Sequence, residues 1–185
     1  ASSFGLPNTP GVWATPAMWP GDGGSIYVPN PTFFGGNPGK LTSYQIVDDG
    51  GRPTLSLAGQ SNDQFGYGSS SAIVTSAGTA SGSGLVWVTY FPTNPGQQQN
   101  GELRAYDSNP SGGVLTLRGS WPIGTGNKFT TPTVHDGRIY VVGRDGDANG
   151  RVLGFGVGGA ATQAPAPRGP STASVPPDAR PDREG

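Results

Sequence analysis

The sequence predicts an all-β fold built of repeated four-stranded antiparallel sheets, and three observations predict it. Short runs of β-branched and aromatic residues recur along the chain, each bounded by Gly, Pro, Asn or Asp. Glycine and proline are abundant, 33 and 19 of 185 residues, yet most fall between those runs, as many short strands and turns require. One strand–turn–strand skeleton also occurs three times, which marks a repeat architecture.

The skeleton is plainest at residues 129–155, FTTPTVHDGRIYVVGRDGDANGRVLGF. Residues 130–134 form a short β-prone run, and Asp136-Gly137 is a two-residue hairpin signal. Residues 138–142 (RIYVV) are a second strand and residues 151–155 a third. The first unit, about 11–62, repeats this pattern in order. Trp13-Ala14-Thr15-Pro16-Ala17 matches Phe129-Thr130-Thr131-Pro132-Thr133, and Ser25-Ile26-Tyr27-Val28 matches Arg138-Ile139-Tyr140-Val141. Leu41-Thr42-Ser43-Tyr44 matches Val152-Leu153-Gly154-Phe155, and residues 54–60 (TLSLAGQ) supply a fourth alternating strand.

The second unit, about 65–123, opens at residues 67–74, with Ser71 aligned to Pro16 and Pro132. Its second strand is LVWVTY at 85–90, its third 103–106, and its fourth VLTLRGSW at 114–121. The third unit, about 127–157, has three strands and lacks a fourth. The period is 55 and then 61 residues, with insertions at 30–40 and 91–101.

The strand faces say how the sheets meet. In LVWVTY, Leu85 and Trp87 lie on one face and Val86, Val88 and Tyr90 on the other, so both faces are apolar. A strand buried on both faces belongs to a sheet packed between two others. Consecutive blades of a β-propeller stack in this way. A β-sandwich also buries inner faces, but its outer faces alternate to polar. The small residues Ser43, Ala105 and Gly154, each preceding an aromatic, are expected to let a neighbouring sheet approach. The expected domain is therefore residues 1–157, consecutive β-propeller blades, about three in number and too few to close a ring.

From Val157 the pattern stops. Residues 158–185 are Gly/Ala-rich, then Pro-rich and charged, without an aromatic residue. Such a segment buries too little area to offset its ordering entropy and reads as a disordered tail or linker. The chain begins at Ala1 without a signal peptide, which reads as a processed chain or a piece of a larger propeller.

Charge and composition exclude several classes. With 11 basic and 12 acidic residues and neither sign clustered, no basic footprint for nucleic acid exists. No run of about 18 apolar residues is present to span a membrane as a helix. The absence of Cys removes disulfides, thiolate metal sites and Cys nucleophiles.

Residues 11–156 resemble the PQQ-like, or quinoprotein-type, β-propeller repeat proteins of bacteria. The resemblance is carried by TPAMW…SIYV…LTSY, by GLVWVTY…GELRAYDSNPSGGVLTLRGSW and by TPTVHDGRIYVVGRDGDANGRVLGFG. It implies that Trp121 is a blade-docking residue, although the spacing from Asp107 is longer than the family's usual motif. The family contains quinone-cofactor dehydrogenases and non-enzymatic propellers, among them an outer-membrane assembly scaffold. A dehydrogenase of this kind would need a catalytic Asp beside a Glu/Asn/Asp calcium cluster. Asp48, Asp49, Glu102 and Asp107 match no such motif, and Asp48-Asp49-Gly50-Gly51 reads as a turn.

Other chemistry is sparse. His135, the single His, reads as a turn residue beside Asp136-Gly137, and Ser69-Ser70-Ser71 reads as a strand start. The glycines at 21–24 and 112–113 lack the Lys and helix of a phosphate loop. One metal motif stands out. Asp145, Asp147 and Asn149 place oxygens at alternate positions with Gly150 at the sixth, the first half of a calcium loop. Gly156 holds the twelfth position in place of Glu, and Asp and Asn are also ordinary turn formers.

The functional expectation is a non-enzymatic propeller scaffold, extracellular or periplasmic, whose partners are the remaining blades and a protein or glycan. No catalytic or quinone-binding residue is assigned. The alternatives are a fragment of a PQQ-dependent dehydrogenase with its catalytic residues outside this chain, and a carbohydrate- or wall-associated module using Phe33, Phe34 and Phe91.

Overall fold

The computed structural model describes residues 12, 14–30, 39–92, 99–145, 149–156 and 162–163. These residues carry one five-stranded and two four-stranded sheets and no α-helix. The first sheet is a meander of β1 (Ala17–Trp19), β2 (Ser25–Asn30), β3 (Lys40–Asp48) and β4 (Pro53–Ser61). The second contains β5 (Ile73–Thr75), β6 (Leu85–Tyr90), β7 (Gly101–Asp107) and, beyond a two-residue strand β8 (Val114–Leu115), β9 (Leu117–Gly124). The third runs β10 (Thr133–His135), β11 (Arg138–Asp145), β12 (Asn149–Phe155) and β13 (Thr162–Gln163).

The three sheets share one register. Tyr27, Trp87 and Tyr140 pair with Ser43, Ala105 and Gly154 on one side and with Ala17, Ile73 and Thr133 on the other. Directly opposed residues share a face. The small residue thus leaves room for the aromatic ring across the ladder. Beside it, Tyr44, Tyr106 and Phe155 pair with Ile26, Val86 and Ile139. The bulge also recurs, falling between Ser43 and Tyr44 in the first sheet and between Ala105 and Tyr106 in the second.

This register corrects the alignment of the second unit. Ile73 is the equivalent of Ala17 and Thr133, so Ala72, rather than Ser71, stands where the other units have Pro16 and Pro132. Matching by proline shifts the strand by one residue, whereas the ladder fixes which face each side chain takes.

The second sheet lies between the other two. Tyr27, Trp19 and Leu41 of the first sheet pack against Val86, Val88 and Tyr106 of the second. Leu103 and the partly buried Trp87 and Ile73, on the opposite face, pack against Ile139, Val141, Leu153 and Phe155 of the third. Burial of both faces of β6 was legible in LVWVTY.

Two strands depart from expectation. VLTLRGSW is not one strand: it breaks at Thr116, and Val114–Leu115 pairs in parallel with Gln60 and Ser61 at the edge of the first sheet. The Leu115 side chain is buried in the core between the first two sheets, which offsets the lost continuity. The third unit does gain a fourth strand, because Thr162 and Gln163 pair with Gly154 and Leu153. The rest of the expected tail, 158–161 and 164–185, lies outside the described residues.

Candidate functional site

The turns behave as their chemistry requires. Asp136 and Gly137 both adopt positive φ, 49° and 67°, the conformation a tight two-residue hairpin demands. Asp48 Oδ1 accepts the Gly51 amide at 2.7 Å, so that acidic pair is a turn. His135 is exposed on the last residue of β10.

The calcium motif meets a hairpin. Asp145 pairs with Asn149 and Arg144 with Gly150, so the ladder closes directly around residues 146–148. Asp147 lies outside the described residues. Because β12 already begins at Asn149, the second half of a helix-flanked calcium loop has no free arc in which to wrap an ion. The chain ends of the three-residue connection are nevertheless held together.

The serine run is not a strand start. Ser69 and Ser70 lie before β5 and bind the end of β6 through their side chains. Ser70 Oγ accepts the Thr89 amide at 2.8 Å, and Ser69 Oγ accepts the Phe91 amide at 3.1 Å. Each hydroxyl also donates to a backbone carbonyl, Ser69 to Gly66 and Ser70 to Ser71. These are satisfied structural groups. Phe91 itself is fully buried in the core between the second and third sheets, so it presents no ring to a ligand. Phe33 and Phe34 lie outside the described residues.

Three polar or aromatic constellations escaped the sequence reading. The first surrounds Arg104 on β7. Its Nε contacts Glu102 Oε2 at 2.7 Å, its Nη1 lies 2.9 Å from Asp63 Oδ1, and its guanidinium sits 3.4 Å over the Tyr90 ring. The Nη1 contact is ionic, without hydrogen-bond angles. Tyr106 donates its hydroxyl to Asp63 Oδ2 at 2.8 Å, and Ser120 donates to Glu102 Oε2 at 2.8 Å. Burial pushes the Tyr106 phenol well above its usual value, so it remains a neutral donor. Both carboxylates are held by internal partners. The cluster ties the residues after β4 to the second sheet.

The second constellation is a clasp at the opposite ends of the strands. Asp22, at φ 50°, accepts the Gly82 amide at 3.1 Å and an Asn109 side-chain hydrogen bond. Trp19 Nε1 donates to Gly78 O at 3.1 Å nearby. Hydrogen bonding from Ser81, Asn109 and the Gly82 amide lowers the Asp22 pKa against a small opposing effect of burial. The third is an aromatic pair. Tyr67 and Phe129 meet edge to face, centroids 5.3 Å apart, with Lys128 Nζ 5.0 Å from the Tyr67 ring centre. Phe129 is exposed and carries φ 60°, unusual for a bulky residue. Its amide donates to Gly68 O at 2.8 Å, which holds the strained backbone.

The acidic residues weighed against a dehydrogenase motif are dispersed. Glu102 belongs to the Arg104 cluster, Asp107 pairs with Arg118 at 2.9 Å, and Asp48 closes its own turn. Among the described residues, no three His, Cys, Asp or Glu side chains gather as metal ligands. Trp121 does bridge two sheets: it stacks on Trp87 and reaches Phe155 of the third sheet. Comparison of the chain with family models, curated proteins and solved structures finds no match.

Proposed function

We propose that the chain is a non-enzymatic scaffold of successive PQQ-like β-propeller blades, part of a larger secreted or periplasmic protein. The observation that carries this reading is the shared register of three sheets stacked face to face in chain order. Trp121, which bridges the second and third sheets, supports it, as does the internal pairing of Asp63, Glu102 and Asp107. Among the described residues no helix is long and apolar enough to cross a membrane. The scaffold acts through the loops at the strand ends, which hold a protein or ligand partner on a rigid base.

The test is a dye-linked dehydrogenase assay of the chain with PQQ, calcium and a panel of alcohols and aldoses. Dye reduction at the protein-free rate is the expected result, and substrate-dependent turnover sinks the scaffold reading.

A second reading, a glycan-binding module, is favoured by the exposed Phe129 beside Tyr67 and Lys128. It predicts quenching or enhancement of tyrosine fluorescence on titration with neutral or uronic-acid oligosaccharides, lost in Phe129→Ala. A flat titration at millimolar sugar removes it.

A further inference from the structure

We propose that the outer face of the third sheet is a docking surface for one further four-stranded sheet of the same repeat. The inference rests on the reading of the sheets as successive units, and adds which face is open and what fits it. In each sheet one face carries the Tyr27, Trp87 or Tyr140 position. In the first and second sheets that face packs on the next sheet in the chain. In the third it carries Tyr140, Val142, Val152 and Gly154, and no described sheet covers it.

The exposures differ accordingly. Val152 is 42% exposed, whereas its equivalents Leu41 and Leu103 are both 0% exposed. Val142 is 37% exposed, whereas its equivalent Thr89 is 0% exposed. The same repeat position is thus buried twice and open once. An apolar sheet face continuing an existing series of interfaces calls for the surface that fills it elsewhere in the series. That surface is the face bearing Val86, Val88 and Tyr106 in the second sheet and Ile139, Val141 and Phe155 in the third. The occupant is therefore a sheet presenting two aliphatic residues on its second strand and an aromatic on its third.

On the far face of the first sheet, the corresponding Val28 and Tyr44 are 2% and 7% exposed, Ile26 is half-buried, and Leu57 opposite Tyr44 is exposed. A second copy adding head to tail would need the Val28 and Tyr44 positions of that face, which are already covered, so the occupant is a further repeat sheet, and dimerisation is an outcome of the test.

The chain has no Cys, so Val152→Cys supplies a single reporter thiol. Its reaction with an aromatic disulfide reagent is compared in the full chain and in the full chain extended by a second copy of residues 127–163. Docking slows the reaction at least about tenfold, as burial behind a local opening equilibrium does. Leu57→Cys, at an exposed site of the first sheet, reacts at one rate in both. Equal rates at residue 152 overturn the proposal, whether the added unit sits elsewhere or fails to fold. Dimerisation of the unextended chain that protects residue 152 also overturns it, by making the occupant a second copy. Small-angle scattering of the extended chain separates this from the propeller reading: a slowed thiol in a flat, uncurved stack keeps the docking face and removes the propeller.

Discussion

Trp121 stacks on Trp87 with ring centroids 5.7 Å apart and planes inclined by 27°. The two residues sit on β9 and β6, the last and second strands of the middle sheet, with β7 between them. Gly119 makes the arrangement possible, since a Cβ there would lie 2.4 Å from the Trp121 ring. Trp87 is fixed from its other end by a 2.8 Å hydrogen bond from Nε1 to Thr75 Oγ1. The pair therefore spans all four strands of the sheet and faces Phe155 of the next.

This geometry predicts coupled energetics. Trp87→Ala is expected to cost about 3 kcal/mol, the lower end for a Trp truncation because the ring is only partly buried. Trp121→Ala is expected to cost about 1–2 kcal/mol, since 37% of the residue is exposed. The double mutant should lose less than the sum by about 0.5–1.5 kcal/mol, the contribution of the stacked pair. Urea titrations of the four proteins measure it, and strict additivity would show that the rings pack independently.

Leu115→Ala tests the strand crossing to the first sheet. The side chain is almost fully buried against Tyr27, Leu41 and Tyr106 as neighbours in one core, so truncation should cost about 2–5 kcal/mol. Leu117→Ala, two residues on and exposed, should cost less than about 1 kcal/mol. Similar costs at both positions would restore a single continuous strand through residues 114–121.

The contrast shows what the sequence could reveal. Alternation marks a strand but not its neighbour, so LVWVTY disclosed burial on both faces while VLTLRGSW hid its break at Thr116. Asp136-Gly137 was legible because a hairpin turn is local chemistry. The Arg104 cluster was not, because Asp63 comes from another sheet's connection and no spacing rule links the two. Leu57-Ala58-Gly59 and Leu117-Arg118-Gly119 did carry a signal: each leads into the recurring bulge, with its Gly opposite Ser43 or Ala105. Phe91 misled because an aromatic in a connection can plug the core. Gly101 and Gly126 leave its ring the space, as a Cβ at either would approach it within 2.5 Å.

Asp22 should give the chain an acid-sensitive clasp. Its folded pKa lies below the ordinary carboxylate value of 3.8, chiefly through the Ser81, Asn109 and Gly82 hydrogen bonds. A depressed folded pKa contributes stability above the unfolded value, and that contribution is lost as pH falls through the folded one. Asp22→Asn keeps the tolerance for positive φ but removes the charge. The variant's melting temperature should therefore fall less steeply than the wild type's below about pH 4. Parallel acid limbs for the two proteins would show that the clasp carries no proton linkage.

The last prediction concerns calcium at Asp145, Asp147 and Asn149. Closure of the ladder at Asp145 and Asn149 holds the ends of the connection together, which lowers the entropy cost of gathering ligands there. The same ladder takes residues 149–155 away into β12, so backbone and water must supply the oxygens that a longer loop would contribute. For a motif of two carboxylates and one amide, the expected dissociation constant is on the order of millimolar or weaker. Calorimetric titration should give a small heat for the wild type and none for Asp145→Ala/Asp147→Ala. The wild-type melting temperature should rise slightly at millimolar calcium, since an ion that binds only the folded chain stabilises it. Identical heats and unchanged melting in both proteins would make residues 145–150 a turn and nothing more.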